Sequence, residues 1–294
     1  MTGVDEGYAE LSETRLHYVE AGEGPLVMLL HGFPEFWFSW RFQIPALAAA
    51  GFRVVAPDMR GYNLSSRPSG VAAYDIDRLA GDIRDLIRER GAESAYVVGH
   101  DWGAAVAWAT AMNHPEVVER LAILNVPHPR RMLGGLRRPR QLMKSWYMFL
   151  FQLPWLPERL VHARRWWLFR YGFEHDARPG TFTPEDIDRY VEAWSQPGAA
   201  TATINYYRAV FRQSPRRAER RIRPVNAPTL VIWGERDRYL GTELAEPDRA
   251  DVPNLDRVVR LSHASHWVHH DEPERVTQLL AEFFATHASA PPSA

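Results

Sequence analysis

The sequence predicts an α/β fold: a mostly parallel central sheet flanked by helices and interrupted once by a helical insertion. Three observations predict it. Short apolar runs alternate with stretches of helical periodicity up to residue 125. The alternation stops over residues 127–224, where Trp- and Arg-rich helical stretches are broken by Pro139, Pro154, Pro157, Pro179, Pro184 and Pro197. It resumes after Pro228 and closes on a helix. Strands alternating with helices build βαβ units, whose parallel sheet is covered on both faces.

Residues 15–20 alternate like a strand, and 26–30 form an apolar run ending at His31-Gly32, as a buried strand does. Residues 52–56 form another, closed by Pro57-Asp58. Ile76, Leu79, Ile83, Leu86 and Ile87 fall on one helical face and predict a helix over 74–90, with Gly91 at its C-cap. Residues 95–99 and 121–125 read as strands either side of an Ala-rich helix, 102–113, stopped by His114-Pro115. Beyond the insertion come strands at 229–233 and 257–261 and a last helix over 273–286. The expected organisation is a core of residues 1–127 and 225–287, a cap of residues 128–224, and a disordered tail, 288–294.

A chain of 294 residues can bury a sizeable core, and 46% hydrophobic with 24% charged residues is ordinary for a soluble protein. Net charge of −1 gives no global reason to expect a nucleic-acid or membrane partner. The acidic, polar start shows no secretory pattern, and no apolar run approaches the ~20 residues of a membrane span. A cytoplasmic protein is expected, as monomer or homodimer. The absence of cysteine excludes disulfides and thiolate metal sites. Residues 127–224 hold 18 Arg and one Lys against 8 acidic residues. Those cations are scattered and no nucleic-acid recognition motif accompanies them, so a basic lid over an acidic core is the favoured reading.

The chemistry centres on residues 97–104, Val-Val-Gly-His-Asp-Trp-Gly-Ala. Small residues Gly99, Gly103 and Ala104 around Asp101 are the pattern of a sharp strand-to-helix turn that lifts one side chain out of the sheet. Serine there would attack acyl carbons after a base removed its proton. A carboxylic acid is ordinarily ionised at pH 7 and can displace a leaving group from saturated carbon. Asp101 therefore points to opening an epoxide or cleaving a carbon–halogen bond.

Such a nucleophile needs an oxyanion hole and a base. The backbone N–H of Trp102, at a helix start, is one candidate donor. That of Phe33 is the other, in the turn His31-Gly32-Phe33-Pro34, where Gly32 permits close approach and Phe33–Pro34 is a candidate cis bond. Nucleophile, acid and base in that chain order place the base in the histidine cluster after the last strand. There His266 sits on the carboxyl edge of the sheet, and His263, His269 and His270 compete with it. The acid should follow the 229–233 strand. Asp237 is preferred to Glu235, which lies nearer the strand end, because the orienting carboxylate must reach the imidazole from a loop.

These motifs make the chain resemble the α/β-hydrolase-fold epoxide hydrolases over nearly its full length: HGFPE (31–35), PDMRGY (57–62), GHDWG (99–103), NVPHP (125–129), WGERD (233–237) and HASHW (263–267). The resemblance implies an α/β-hydrolase fold with Asp101 as nucleophile, His266 as base, Asp237 as its acid, and Phe33 and Trp102 as oxyanion donors. It also implies two cap tyrosines that protonate the epoxide oxygen: Tyr147, in Tyr-x-x-x-Phe-Gln, and Tyr207, in Asn-x-Tyr-Arg, with Tyr206 as the competing register. A poor alkoxide leaving group needs such a donor, and a phenol is adequate. A small apolar epoxide and water are the expected partners, with no metal or organic cofactor. One departure is Asn63, where the family usually has glycine; asparagine tolerates left-handed backbone angles.

The nearest rival, haloalkane dehalogenase, shares the Asp-Trp pair but usually adds a second halide donor after His-Gly, where Phe33 offers none. Haloacetate dehalogenases typically follow the nucleophile with arginine, where Trp102 stands. A non-catalytic scaffold on this fold would generally have lost a triad member.

Overall fold

A computed structural model describes residues 3–285. The predicted tail, 288–294, lies outside the described residues. Eight strands make one sheet in the order β1-β2-β4-β3-β5-β6-β7-β8. They are β1 (Asp5–Glu10), β2 (Arg15–Ala21), β3 (Leu26–Leu30), β4 (Arg53–Pro57), β5 (Ala95–His100), β6 (Val118–Leu124), β7 (Thr229–Gly234) and β8 (Leu255–Leu261). The β1–β2 and β2–β4 pairs are antiparallel; every other pair is parallel.

Alternate residues of each buried strand face opposite layers. Met28, Val97, Ile123 and Val231 join one core cluster with α2 (Ile76–Glu89) and α3 (Trp102–Asn113). Val27, Leu29, Val98, Leu124 and Ile232 join the other, with α1 (Gln43–Ala49), and with a helix over Pro273–Ala285. Near-continuous apolar strands are what two covered faces require, which is why they were readable.

β1 was not predicted. Its sequence, DEGYAE, buries only Ala9, and pairing with β2 rather than apolar patterning defines it. β6 begins three residues before the predicted 121, because Glu119 and Arg120 break the apolar run while the ladder continues.

Between β6 and β7 lie seven helices: α4 (Pro129–Gly135), α5 (Pro139–Lys144), α6 (Trp146–Leu150), α7 (Leu156–Tyr171), α8 (Pro184–Trp194), α9 (Ala199–Phe211) and α10 (Pro215–Arg221). Helix α7 kinks at residues 163–166. Pro139 and Pro184, which read as interruptions, are first residues of helices, where the missing N–H costs nothing. An aromatic cluster containing Phe151, Phe169, Phe173, Trp194 and Tyr207 packs this insertion on Phe36, Phe38 and Trp267. After β8 come α11 (Val268–Asp271) and α12 (Pro273–Ala285). No helix among the described residues is long and apolar enough to cross a membrane.

Candidate active site

Only Asp101 separates β5 from α3, at φ 48° and ψ −123°. The turn is this sharp because Gly103 lies against β3: a Cβ there would sit 2.1 Å from the Leu30 carbonyl oxygen. A Cβ on Gly32 would sit 2.3 Å from that of Asp101, so the turn after β3 can close on Asp101 only as glycine. In consequence Phe33 N–H donates to Asp101 Oδ1 at 2.6 Å. Trp102 opens α3, where a backbone N–H has no intrahelical acceptor.

The supporting turn is pinned by His31. Its Nε2 accepts from Met59 N–H at 2.9 Å, so Nδ1 carries the proton it donates to the Gly32 carbonyl, also at 2.9 Å. Burial lowers the pKa of this ring, consistent with a neutral imidazole. The Phe33–Pro34 bond is cis. The Pro34 carbonyl accepts from the Trp194 indole, joining the turn to the insertion. Asn63 takes a positive φ of 38°, and its side chain donates to Asp58 at 2.8 Å.

His266 follows β8 and brings Nε2 to 3.5 Å from Asp101 Oδ2, while Nδ1 meets Asp237 Oδ2 at 2.7 Å. Asp237, in the loop after β7, also accepts from the N–H groups of Tyr239 at 2.7 Å and Leu240 at 2.8 Å. Burial would raise this acid; His266, Asn125 and the Leu240 N–H outweigh it and hold Asp237 below the usual carboxylate range. Burial would likewise lower His266, but Asp237 and Asp101 overcome it and push the imidazole up to about 10. The competitors lie elsewhere. Glu235 is exposed and faces Arg260, His263 contacts Arg236 at the surface, and His269 and His270 are buried behind the site.

Asp101, His266, Tyr147 and Tyr207 line one cavity of about 760 Å³, walled by aromatic rings. Asp101, Tyr147 and Tyr207 also line a second, of about 250 Å³, behind Trp102. The two tyrosine rings meet edge-on at 5.8 Å, and Tyr207 also packs on Phe33 and Trp102 at 5.1 and 5.0 Å. Burial and then the Asp101 charge raise both phenols, so both hold their protons. Tyr206 instead turns into the core and donates to the Arg60 carbonyl at 2.7 Å.

Sequence reading missed two sets of supporting residues. Asn125, at φ 49°, accepts from Gly234 N–H and donates to Asp237 Oδ2, both at 2.8 Å, bracing the acid from the neighbouring strand end. Behind His266 lies a largely buried network. His100 faces Glu35 Oε2 through Nδ1 and the His266 carbonyl oxygen through Nε2, each at 2.9 Å. His270 accepts from Arg41 at 2.9 Å and donates to Glu35 Oε1 at 2.8 Å, and Arg41 continues to Asp186 on α8 at 3.1 Å. Burial would raise the Glu35 acid, but His100 and His270 hold it well below its ordinary value. A carboxylate on one side and a carbonyl on the other give each ring nitrogen of His100 an acceptor. Glu35, His100 and His269 also present donor atoms within 4.8 Å of one another, as metal ligands would. Glu35 and His100 already spend those atoms on the network, which satisfies them without an ion. Both Glu35 and Asn125 sit inside motifs visible in the sequence; what was invisible was their partners.

A family profile described as alpha/beta hydrolase fold matches residues 25–273. An AB hydrolase superfamily protein of Bacillus subtilis, YfhM, is 43% identical over 96% of this chain and 99% of its own length. Human epoxide hydrolase 4 is 40% identical over 92% of this chain and 76% of its own length. Among solved structures, a Bacillus megaterium epoxide hydrolase bound to an inhibitor superposes with a TM-score of 0.86 at 33% identity, covering 95% of this chain and 99% of that one. The chain belongs to the α/β-hydrolase-fold family and, within it, to the epoxide hydrolases.

Proposed function

We propose that this enzyme hydrolyses an epoxide to a vicinal diol through a covalent ester on Asp101, without metal or organic cofactor. Residues 128–224 serve as a cap over a core formed by 1–127 and 225–287. Asp101 Oδ1 is held by Phe33 N–H, which leaves Oδ2 to attack an epoxide carbon. The carbon–oxygen bond of the ring breaks as Tyr147 and Tyr207 donate to the departing oxygen, giving a hydroxyalkyl ester.

Ester formation then switches the base on. His266 stands high because two carboxylates face it. Alkylation neutralises Asp101, so its contribution disappears and His266 gives up its proton more readily, which lets the phenolate left by ring opening return to its phenol. The neutral ring takes a proton from water, which attacks the Asp101 carboxyl carbon. Negative charge develops on Oδ1 against Phe33 and Trp102 N–H, and collapse expels the diol, whose departing Oδ2 takes the proton that His266 drew from water.

The observation that carries the proposal is the convergence of two phenols and the Asp101 carboxylate on one apolar cavity. A halide leaves without a proton and has no use for them. The test compares diol formation from styrene oxide with bromide release from a bromoalkane. Epoxide turnover that is lost in the Tyr147→Phe, Tyr207→Phe double variant supports the reading. Bromide release that survives in that variant, with no epoxide turnover in the wild type, would replace it with a dehalogenase.

A further inference from the structure

The net charge of −1 hides a segregation. Residues 137–171 carry eight Arg and Lys side chains and a single carboxylate, Glu158, which Arg208 binds at 2.6 Å. Arg138, Arg140, Arg164 and Arg165 have no ion-pair partner among the described residues. Apolar surface concentrates in the same stretch. Of the 13 large hydrophobic side chains exposed among the described residues, nine lie between 142 and 171. Met143 is 73% exposed, Trp146 57% and Trp167 53%.

Three of the nine, Met143, Trp146 and Tyr171, gather at one place. Exposed Arg140, Met143, Trp146 and Tyr171 line the cavity that leads to Asp101, beside half-buried Leu168, and mark its mouth. The Trp167 ring packs on Tyr171 at 5.6 Å, extending the face outward. The one acid at the mouth, Asp176, is engaged by Arg238 at 2.8 Å and by the Tyr239 hydroxyl at 2.7 Å.

Monomeric proteins seldom expose contiguous apolar surface without a partner for it. Exposed Trp, Tyr and Met interleaved with unpaired Arg suit the interface of an anionic bilayer, where rings enter the headgroup layer and cations meet lipid phosphate. A second copy of the same face would oppose like charges.

We propose that this face of the cap docks on an anionic lipid bilayer and seats the cavity mouth against the leaflet, so that apolar epoxides reach Asp101 from the lipid. The docking stands on the surface alone; delivery of epoxides rests on the function proposed above.

The test sediments the full chain with vesicles of phosphatidylcholine alone and of phosphatidylcholine mixed with phosphatidylglycerol. No epoxide is present, so the outcome is independent of the reaction. The chain should prefer the anionic vesicles, with binding that weakens as salt rises. Each arginine charge removed should weaken partitioning about five-fold, so the Arg138→Gln, Arg140→Gln pair should lose about 25-fold. Met143→Ser with Trp146→Ser should keep the salt-sensitive binding and lose what persists at high salt. Melting temperatures within about 2 °C of wild type will show that these surface variants fold. Equal binding to both vesicles, or an arginine pair that binds undiminished, would overturn the proposal. So would a concentration-dependent dimer that Met143→Ser with Trp146→Ser dissolves, since it would assign the face to a second copy.

Discussion

The two halves of the site are held by different physics. On the sheet side, Asp101, Asp237 and His266 stand in short loops directly after β5, β7 and β8. Directional hydrogen bonds of 2.6 to 2.8 Å hold the Asp101 and Asp237 carboxylates. On the cap side, Tyr147 and Tyr207 ride on α6 and α9 and are placed by edge-on ring contacts of about 5 to 6 Å. Ring packing is broad and nondirectional compared with a charge-assisted hydrogen bond. In the proposed mechanism the difference separates two tasks: the sheet side fixes how the nucleophile is made and recycled, and the cap side decides which leaving group can depart.

The comparison predicts a hierarchy of losses. Asp237→Asn should be the most damaging of the supporting changes, lowering turnover by about 10⁴ because the imidazole loses its orienting charge and adopts the wrong tautomer. Rapid-quench kinetics should place that loss in ester hydrolysis, with alkylation nearly intact; a loss confined to alkylation would misplace Asp237. Removing both phenols should cost about 10³-fold in alkylation, and either one alone far less, since the other still donates. If each single Tyr→Phe variant lost as much as the pair, the phenols would be acting as one unit. Asn125→Ala should cost about ten-fold in ester hydrolysis, because Asp237 keeps three of its four partners. An unaltered hydrolysis rate would make Asn125 a strand-end brace only.

The smallest expected effect is on stability, and its sign follows from His266. Its folded pKa, about 10, lies above the ordinary 6.5, so its contribution to stability is complete below pH 6.5 and is lost as pH rises through about 10. The melting temperature of wild type should therefore decline across that window more steeply than that of His266→Gln. Parallel curves would show that the imidazole is not held between two charges.

The sheet side was also the more legible in the sequence. Its strands are buried on both faces, so they stand out as apolar runs, and the steric demands at Gly32 and Gly103 leave small residues at fixed spacing around Asp101. The antiparallel β1 left no such trace, because an exposed edge strand needs no apolar period. The insertion was legible as helix, but its register only through the resemblance, which favoured Tyr207 over Tyr206: the two are neighbours in sequence yet face the cavity and the core. The Glu35 network was hidden for another reason. Glu35 lies 65 residues from His100 and 235 from His270, and their meeting exists only in the folded chain. In the proposed mechanism Asp101 alone implies attack on saturated carbon, and the choice of epoxide comes from residues that folding brings over it.

The central claim is that Asp101 becomes an ester that only His266 can release. The most direct measurement is intact-protein mass spectrometry of His266→Gln after incubation with styrene oxide. The account predicts a stoichiometric adduct of the epoxide's mass, mapped to Asp101 in the digested protein and absent from Asp101→Asn, His266→Gln. A variant that folds and binds the epoxide but carries no adduct, or one that carries it on another residue, would contradict it.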